Sequence, residues 1–117
     1  MTKILTYHVG SMPFRVQKQQ CVPLFVLRDL CRILGFSGEA DALRYLRDHA
    51  DDPDDVVTGW IHDPAEPAES PFVAVALCSV FALSCAPNAV GANRFETVLV
   101  TEAMPVLFHM RIKEAVR

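Results

Sequence analysis

The stretch from Pro23 to Asp55, PLFVLRDLCRILGFSGEADALRYLRDHADDPDD, constrains the fold of this chain more than any other. It opens on a β-rich apolar run that ends at Val26, and the period then changes abruptly. Leu27, Leu30, Cys31 and Leu34 recur at i, i+3, i+4 and i+7, the stripe of a helix with one buried face. Gly35 supplies a left-handed stop. Ser37 is a good N-cap for a second helix, with Glu39 favoured in its first turn. Ala42, Leu43, Leu46 and Ala50 make the buried stripe of that helix, and Asp51-Asp52-Pro53-Asp54-Asp55 ends it. Two short helices set at an angle on a strand are a common way to present arginines to a phosphate backbone. Arg28 and Arg32 lie four apart, opposite the first stripe, and Arg44 and Arg47 project from the second helix. Asp48 and Asp51 follow these last two by four residues, which predicts the intrahelical ion pairs Arg44–Asp48 and Arg47–Asp51.

Around this unit the chain reads as strands first and helices later. Ile4 to Val9 is a strand ended by Gly10-Ser11, and Phe14-Arg15-Val16 alternates as a half-buried strand should. Gln17 to Gln20 reads as a polar turn, and Cys21 to Val26 as the next strand. Pro23 puts that strand at a sheet edge or marks its start. Val56 to Ile61 is a strand. His62 to Pro71, with three prolines among acidic residues, is a loop or hairpin tip, and Phe72 to Val75 is the returning strand. Ala76 to Ala86 is apolar nearly all round and predicts a buried helix. Asn93 to about Lys113 predicts a long helix that Pro105 kinks or divides.

A chain of 117 residues is expected to form one domain, and with 51% hydrophobic residues it can bury a single core. There is no run of 18 apolar residues and no leader-like N-terminus, so a cytoplasmic protein without a membrane span is expected. Cys21, Cys31, Cys78 and Cys85 form no CxxC pair and sit in apolar contexts, which predicts four reduced core thiols and no metal site. Charge is unevenly placed. Residues 1 to 47 carry seven basic side chains against three acidic ones, whereas residues 48 to 70 carry eight acidic side chains and no basic one. Such asymmetry suggests separate faces with separate partners. Nucleophile elbows, phosphate loops, dinucleotide fingerprints and zinc-protease helices are all absent, and His8, His49, His62 and His109 are scattered. No enzyme and no cofactor is expected.

With Leu24-Phe25-Val26-Leu27-Arg28-Asp29-Leu30-Cys31 followed by Leu34-Gly35-Phe36-Ser37, the chain resembles the Bro-N domain, the N-terminal domain of baculovirus repeated-ORF proteins and of phage and prophage antirepressors. Ala42-Leu43, the run from His49 to Asp55, Arg94-Phe95, and Val100-Thr101-Glu102-Ala103-Met104-Pro105 extend the likeness over roughly residues 4 to 112. The resemblance implies an α+β fold, a small mostly antiparallel sheet with several helices packed around it, and residues 1–117 as a single Bro-N-like domain. The chain is then either a stand-alone form or an excised N-terminal domain. It departs from the family pattern at Ser84-Cys85-Ala86-Pro87-Asn88-Ala89, where a basic turn is usual, and at Ala76-Leu77-Cys78, where an Asn-Glu is usual.

Two functions follow from this reading. In the first, the chain is a DNA-binding regulator of transcription of phage or prophage origin, working in the bacterial cytoplasm. Arg28, Arg32, Arg44 and Arg47, helped by Arg15, Lys18 and Arg94, contact phosphates. In the second, it is an antirepressor that binds a repressor protein instead. Its acidic segment 48–70, with Asp51, Asp52, Asp54, Asp55 and Trp60, then meets the repressor's basic face. A homodimer through the apolar final helix is compatible with either.

Overall fold

The sheet grows from a tight hairpin. Strands β1 (Ile4–Val9) and β2 (Met12–Gln19) pair antiparallel with Val9 opposite Met12, so Gly10 and Ser11 alone make the turn. The computed structural model describes residues 3–19, 22–50, 56–68, 71–87 and 89–107. Strands β3 (Val22–Val26), β4 (Thr58–Ile61) and β5 (Phe72–Ala76) complete a five-stranded antiparallel sheet of order β1-β2-β3-β5-β4. With its helices it makes an α+β fold. β3 lies in the interior of the sheet, so Pro23 marks a strand start and not an edge; it stands just before the β3–β5 ladder, which begins at Leu24.

β2 runs on through Gln17, Lys18 and Gln19, where the polar sequence predicts a turn. The Gln19 amide explains this. Its Nε2 donates to Gln17 Oε1 at 2.5 Å and to the Trp60 carbonyl at 2.9 Å, so these polar groups are satisfied on the sheet rather than in solvent. Trp60 is on β4, three strands away. The sheet therefore curls strongly toward the face that carries Gln17 and Gln19.

Both faces of the sheet are packed. On one, Phe14, Val16, Phe25 and Val75 meet the helices in the main core. On the other, Leu24, Val26, Ile61, Phe72, Ala74 and Ala76 form a second buried cluster inside the curl. Two strands pass into helices with no intervening loop: β3 into α1 (Leu27–Leu34) and β5 into α3 (Leu77–Ser84). α1 buries Leu27, Asp29, Leu30, Cys31, Ile33 and Leu34, and only Arg28 and Arg32 are left outside. Gly35, at φ 86°, ends it, and the N–H groups of Gly35 and Phe36 both donate to Cys31 O, at 2.9 and 3.0 Å.

α2 (Glu39–His49) starts at Gly38, whose carbonyl accepts from Ala42 N–H at 3.2 Å. Ser37 is not the cap: it lies one residue further out, and the first turn has Glu39 and Asp41 to offset its unpaired N–H groups. α3 is less buried than its composition predicts. Ser79, Val80, Leu83 and Ser84 face inward, while Cys78, Phe81 and Ala82 line the outside. Cys31 is buried, but Cys78 and Cys85 are exposed, so the expectation of four core thiols fails at those two; Cys21 lies outside the described residues.

The irregularity of the final helix lies in the turn before Pro105. α4 (Ala92–Val98) passes into a π-helical turn, Leu99–Ala103, and then into α5 (Met104–Leu107). Met104 N–H reaches back five residues to Leu99 O. A proline lacks an N–H and crowds the carbonyl four residues before it. Widening the preceding turn relieves both demands, as π-bulges do elsewhere. The predicted end near Lys113 lies outside the described residues.

α4 is docked end-on against α1. Val90 N–H donates to Leu34 O at 3.1 Å, and a Cβ on Gly91 would stand 2.2 Å from Ile33 O. That neighbour is backbone and cannot swing away. Gly91→Ala should destabilise the protein by about 1–3 kcal/mol as an overpacking change, read as a lowered urea midpoint. An unchanged midpoint would show that the α1–α4 junction slides freely.

Candidate nucleic-acid interface

Among the predicted phosphate ligands, Arg15 is the one the structure withdraws. Strict alternation on β2 puts its side chain opposite Phe14 and Val16, on the face inside the curl. The β2–β3 ladder stops at Val16 opposite Phe25, so the Arg15 N–H is left without a strand partner. Asp29, in the first turn of α1, takes that place: its Oδ2 accepts the Arg15 N–H at 3.0 Å and Arg15 Nε at 2.9 Å, and its Oδ1 accepts Nη2 at 2.9 Å. The remaining nitrogen, Nη1, donates to Asp63 Oδ2 at 3.1 Å and Glu66 Oε2 at 2.8 Å. The guanidinium also lies 4.3 Å from the centre of the Phe72 ring. Its side chain is 12% exposed and that of Asp29 only 1%. Arg15 is thus a structural ion-pair centre, engaged with three carboxylates and not held out to solvent as a phosphate ligand would be.

The same centre organises the loop after β4. Asp63 Oδ1 accepts the Ala65 N–H at 2.9 Å, and Asp63 O accepts the Glu66 N–H at 3.0 Å. The Ala65 N–H, followed by Arg15, holds the Asp63 carboxyl below the usual carboxylate range. Two of the eight acidic side chains of segment 48–70 are therefore turned inward onto Arg15.

The four helix arginines stay on the surface. Arg28 and Arg32 form the outer line of α1, one turn apart. Arg28 is half-buried, its guanidinium 5.4 Å from the Phe72 ring centre on which Arg15 also rests, whereas Arg32 is exposed. Arg44 and Arg47 are exposed on α2. Arg44 does not pair forward with Asp48; it pairs back with Asp41, Nη2 to Oδ1 at 3.2 Å, with both side chains open to solvent. Asp51, the expected partner of Arg47, lies outside the described residues.

Lys18 is half-buried on β2 opposite Pro23. Arg94 is exposed on α4, with its Nη2 beside the β1–β2 turn at Gly10. Neither is held with the α1 or α2 arginines by any hydrogen bond or ion pair among the described residues. Of the residues named for a protein partner, Trp60 is 61% exposed on the edge strand β4, near the exposed Val57. Asp51, Asp52, Asp54 and Asp55 lie outside the described residues.

A cleft of about 430 Å³ opens where α1 turns into α2, lined by Gly35, Phe36, Ser37, Asp41, Arg44, Tyr45, Asp48 and His49. Sequence reasoning passed over its aromatic residues. Tyr45 and His49 are four apart, the helical spacing at which rings meet, and this was the available clue. Elsewhere, burial, with Glu39 and Asp41 nearby, pushes the Cys31 thiol up to about 11, so it stays neutral and non-nucleophilic near pH 7. No group of His, Cys, Asp and Glu among the described residues could hold a metal ion, and no described helix is long and apolar enough to cross a membrane.

Comparison of the chain with protein-family models, with curated proteins and with solved structures gives no match in any of the three.

Proposed function

We propose that this protein is a DNA-binding regulatory module of the phage antirepressor type, holding phosphates with Arg28, Arg32, Arg44 and Arg47 and carrying out no catalysis. The observation that supports this reading most is the circumference of α1. That helix is buried on every line except the one bearing Arg28 and Arg32. Two residues four apart on a helix are about 6 Å apart along its axis. The packed helix fixes the backbone positions from which both side chains leave, and arginine suits phosphate geometry. With Arg15 turned inward, the four arginines of α1 and α2 carry the main contact, helped by Lys18 and Arg94.

The expected salt dependence follows. Four neutralised phosphates give a slope of log K against log salt of about −3.6 on duplex DNA, and Arg44→Ala with Arg47→Ala lowers its magnitude by about 1.8. Fluorescence anisotropy on random-sequence duplex DNA reads both values. Absence of binding at low salt would sink this function as a general mode.

One observation favours a second reading, contact with a repressor protein. Trp60 is a large aromatic side chain left in solvent on an edge strand, the kind of residue that anchors protein interfaces. Since Asp63 and Glu66 serve Arg15, the described part of this reading is Trp60, while Asp51, Asp52, Asp54 and Asp55 lie outside the described residues. Neutralising those aspartates should then abolish repressor capture and leave DNA binding intact. The reverse outcome would remove this reading.

A further inference from the structure

We infer that the cleft between α1 and α2 is a pocket for one unpaired guanine-type base, a deepening that rests on the nucleic-acid function proposed above. The Gly35 turn sets Phe36 and Ser37 on one wall. Asp41, Arg44, Tyr45, Asp48 and His49 recur along a single face of α2 and make the other. Three rings line the space in series. Phe36 and Tyr45 have centres 6.1 Å apart, tilted by 58°, and Tyr45 and His49 stack at 4.0 Å and 24°. His49 Nδ1–H donates to Tyr45 O at 2.9 Å, which fixes the imidazole in the stack. A run of rings beside an arginine, open to solvent, is the arrangement on which unstacked bases settle.

The charges in the cleft select the kind of ligand. Two carboxylates, Asp41 and Asp48, face the space, and they disfavour a phosphate or carboxylate inside it. Arg44 is engaged with Asp41. Asp48 is exposed and has no ion-pair partner among the described residues. A free carboxylate accepts two parallel hydrogen bonds best from adjacent donors. Guanine offers such a pair, N1–H and the 2-amino group, on its Watson–Crick edge. Thymine offers a single N–H between two acceptors. The base lies against the rings with this edge toward Asp48, and the flanking phosphate stays outside near Arg44. The same chemistry serves a free guanine nucleotide or a guanine in a single strand.

The test uses the full chain and labelled single strands in fluorescence anisotropy at low salt. The strands are an oligothymidylate, the same strand with one central guanine, and the same strand with hypoxanthine, which keeps N1–H and lacks the 2-amino group. The guanine strand should bind roughly tenfold more tightly than the thymine strand, the size expected of a charge-assisted hydrogen bond net of water. Hypoxanthine should fall between them, and Asp48→Ala, at an exposed position, should erase the differences. Equal affinity for all three strands overturns the pocket. Duplex binding measured alongside separates the two claims: if it persists while the single strands are equal, the pocket alone fails. A parallel NMR titration with GMP and TMP distinguishes the sources. Shifts of α2 amides with GMP alone, without single-strand binding, assign the site to the free nucleotide and overturn the single-strand source, while the DNA function is read from the duplex titration. No single-strand binding and no GMP shifts overturn the pocket, and both claims fall if duplex binding is absent as well.

Discussion

Arg15→Met should cost about 3–5 kcal/mol of folding stability, because it leaves Asp29 as an uncompensated buried charge. Asp29 is 1% exposed and receives three of its hydrogen bonds from Arg15. Only the one from the backbone N–H survives the substitution. Glu66, whose side chain is 48% exposed, contributes little of this loss, since exposed ion pairs are weak. Arg15→Lys should recover only part of it, because an ammonium cannot offer the fork that Asp29 grips from Nε and Nη2. Arg15→Met combined with Asp29→Leu should be far less damaging than Arg15→Met alone, since a buried pair replaced by apolar groups is often near neutral. Urea denaturation at pH 7 measures all four chains. A loss below about 1 kcal/mol for Arg15→Met, the scale of an exposed pair, would mean that water reaches Asp29 and the centre is not sealed.

The pH dependence of the same centre has a definite sign. Burial lowers the pKa of Arg15, but its hydrogen bonds, led by those to Asp29, outweigh this and raise it further above the ordinary arginine value, so it remains charged throughout. Asp63 has a lowered pKa in the fold, caused first by the Ala65 N–H and then by Arg15. Its stabilisation is complete above the unfolded carboxylate value of about 4 and is lost as pH falls through the lower folded value. The wild type should therefore lose stability below about pH 4. Part of that loss should be missing in Arg15→Met, where one cause of the lowered pKa is gone.

Phe14→Ala should cost a similar amount, about 3–5 kcal/mol, as truncation of a fully buried aromatic. Phe14 is 0% exposed and is the common neighbour of three rings: Tyr7 at 5.6 Å, Phe25 at 6.4 Å and Phe95 at 5.2 Å between centres. These join β1, β2, β3 and α4, so one truncation weakens four elements together. Phe14→Leu should cost less than Phe14→Ala, since it keeps most of the volume. Thermal melts of the three chains check the order. A small effect of the alanine variant would mean that the surrounding rings collapse into the cavity.

Much of the local structure was legible in the chain. The change of period at Leu27, the stop at Gly35 and the stripe of Ala42 and Leu46 predicted α1 and α2, because helix stripes and left-handed glycines are local properties. Where local reading failed, a distant partner was the cause. Gln17 to Gln19 looked like a turn because amides are polar, yet β2 continues there, with Gln19 bonded to Gln17 and to the carbonyl of Trp60. Ser37 is a strong cap by type, but Gly38 stands at the helix start and the acidic first turn suffices. Arg44 turned back to Asp41, since exposed i,i+3 and i,i+4 pairs differ little in energy.

The candidate site divides along the same line. Arg28, Arg32, Arg44 and Arg47 remain on the outside of their helices, a placement that helical periodicity alone determines. The position of Arg15 could not be read in that way. Alternation put it on the face away from the helices, and whether that face meets water or protein depends on how far the sheet curls. The curl brings Asp63 and Glu66, some fifty residues along the chain, against a guanidinium that Asp29 already holds. The sequence by itself determined which residues form α1 and α2 and which arginines those helices carry outward, because period and capping act over a few residues. Only the tertiary structure decided that one arginine is gripped by Asp29 and by two acids of the later segment, and that three rings line one cleft, because pairing across a sheet depends on its curvature.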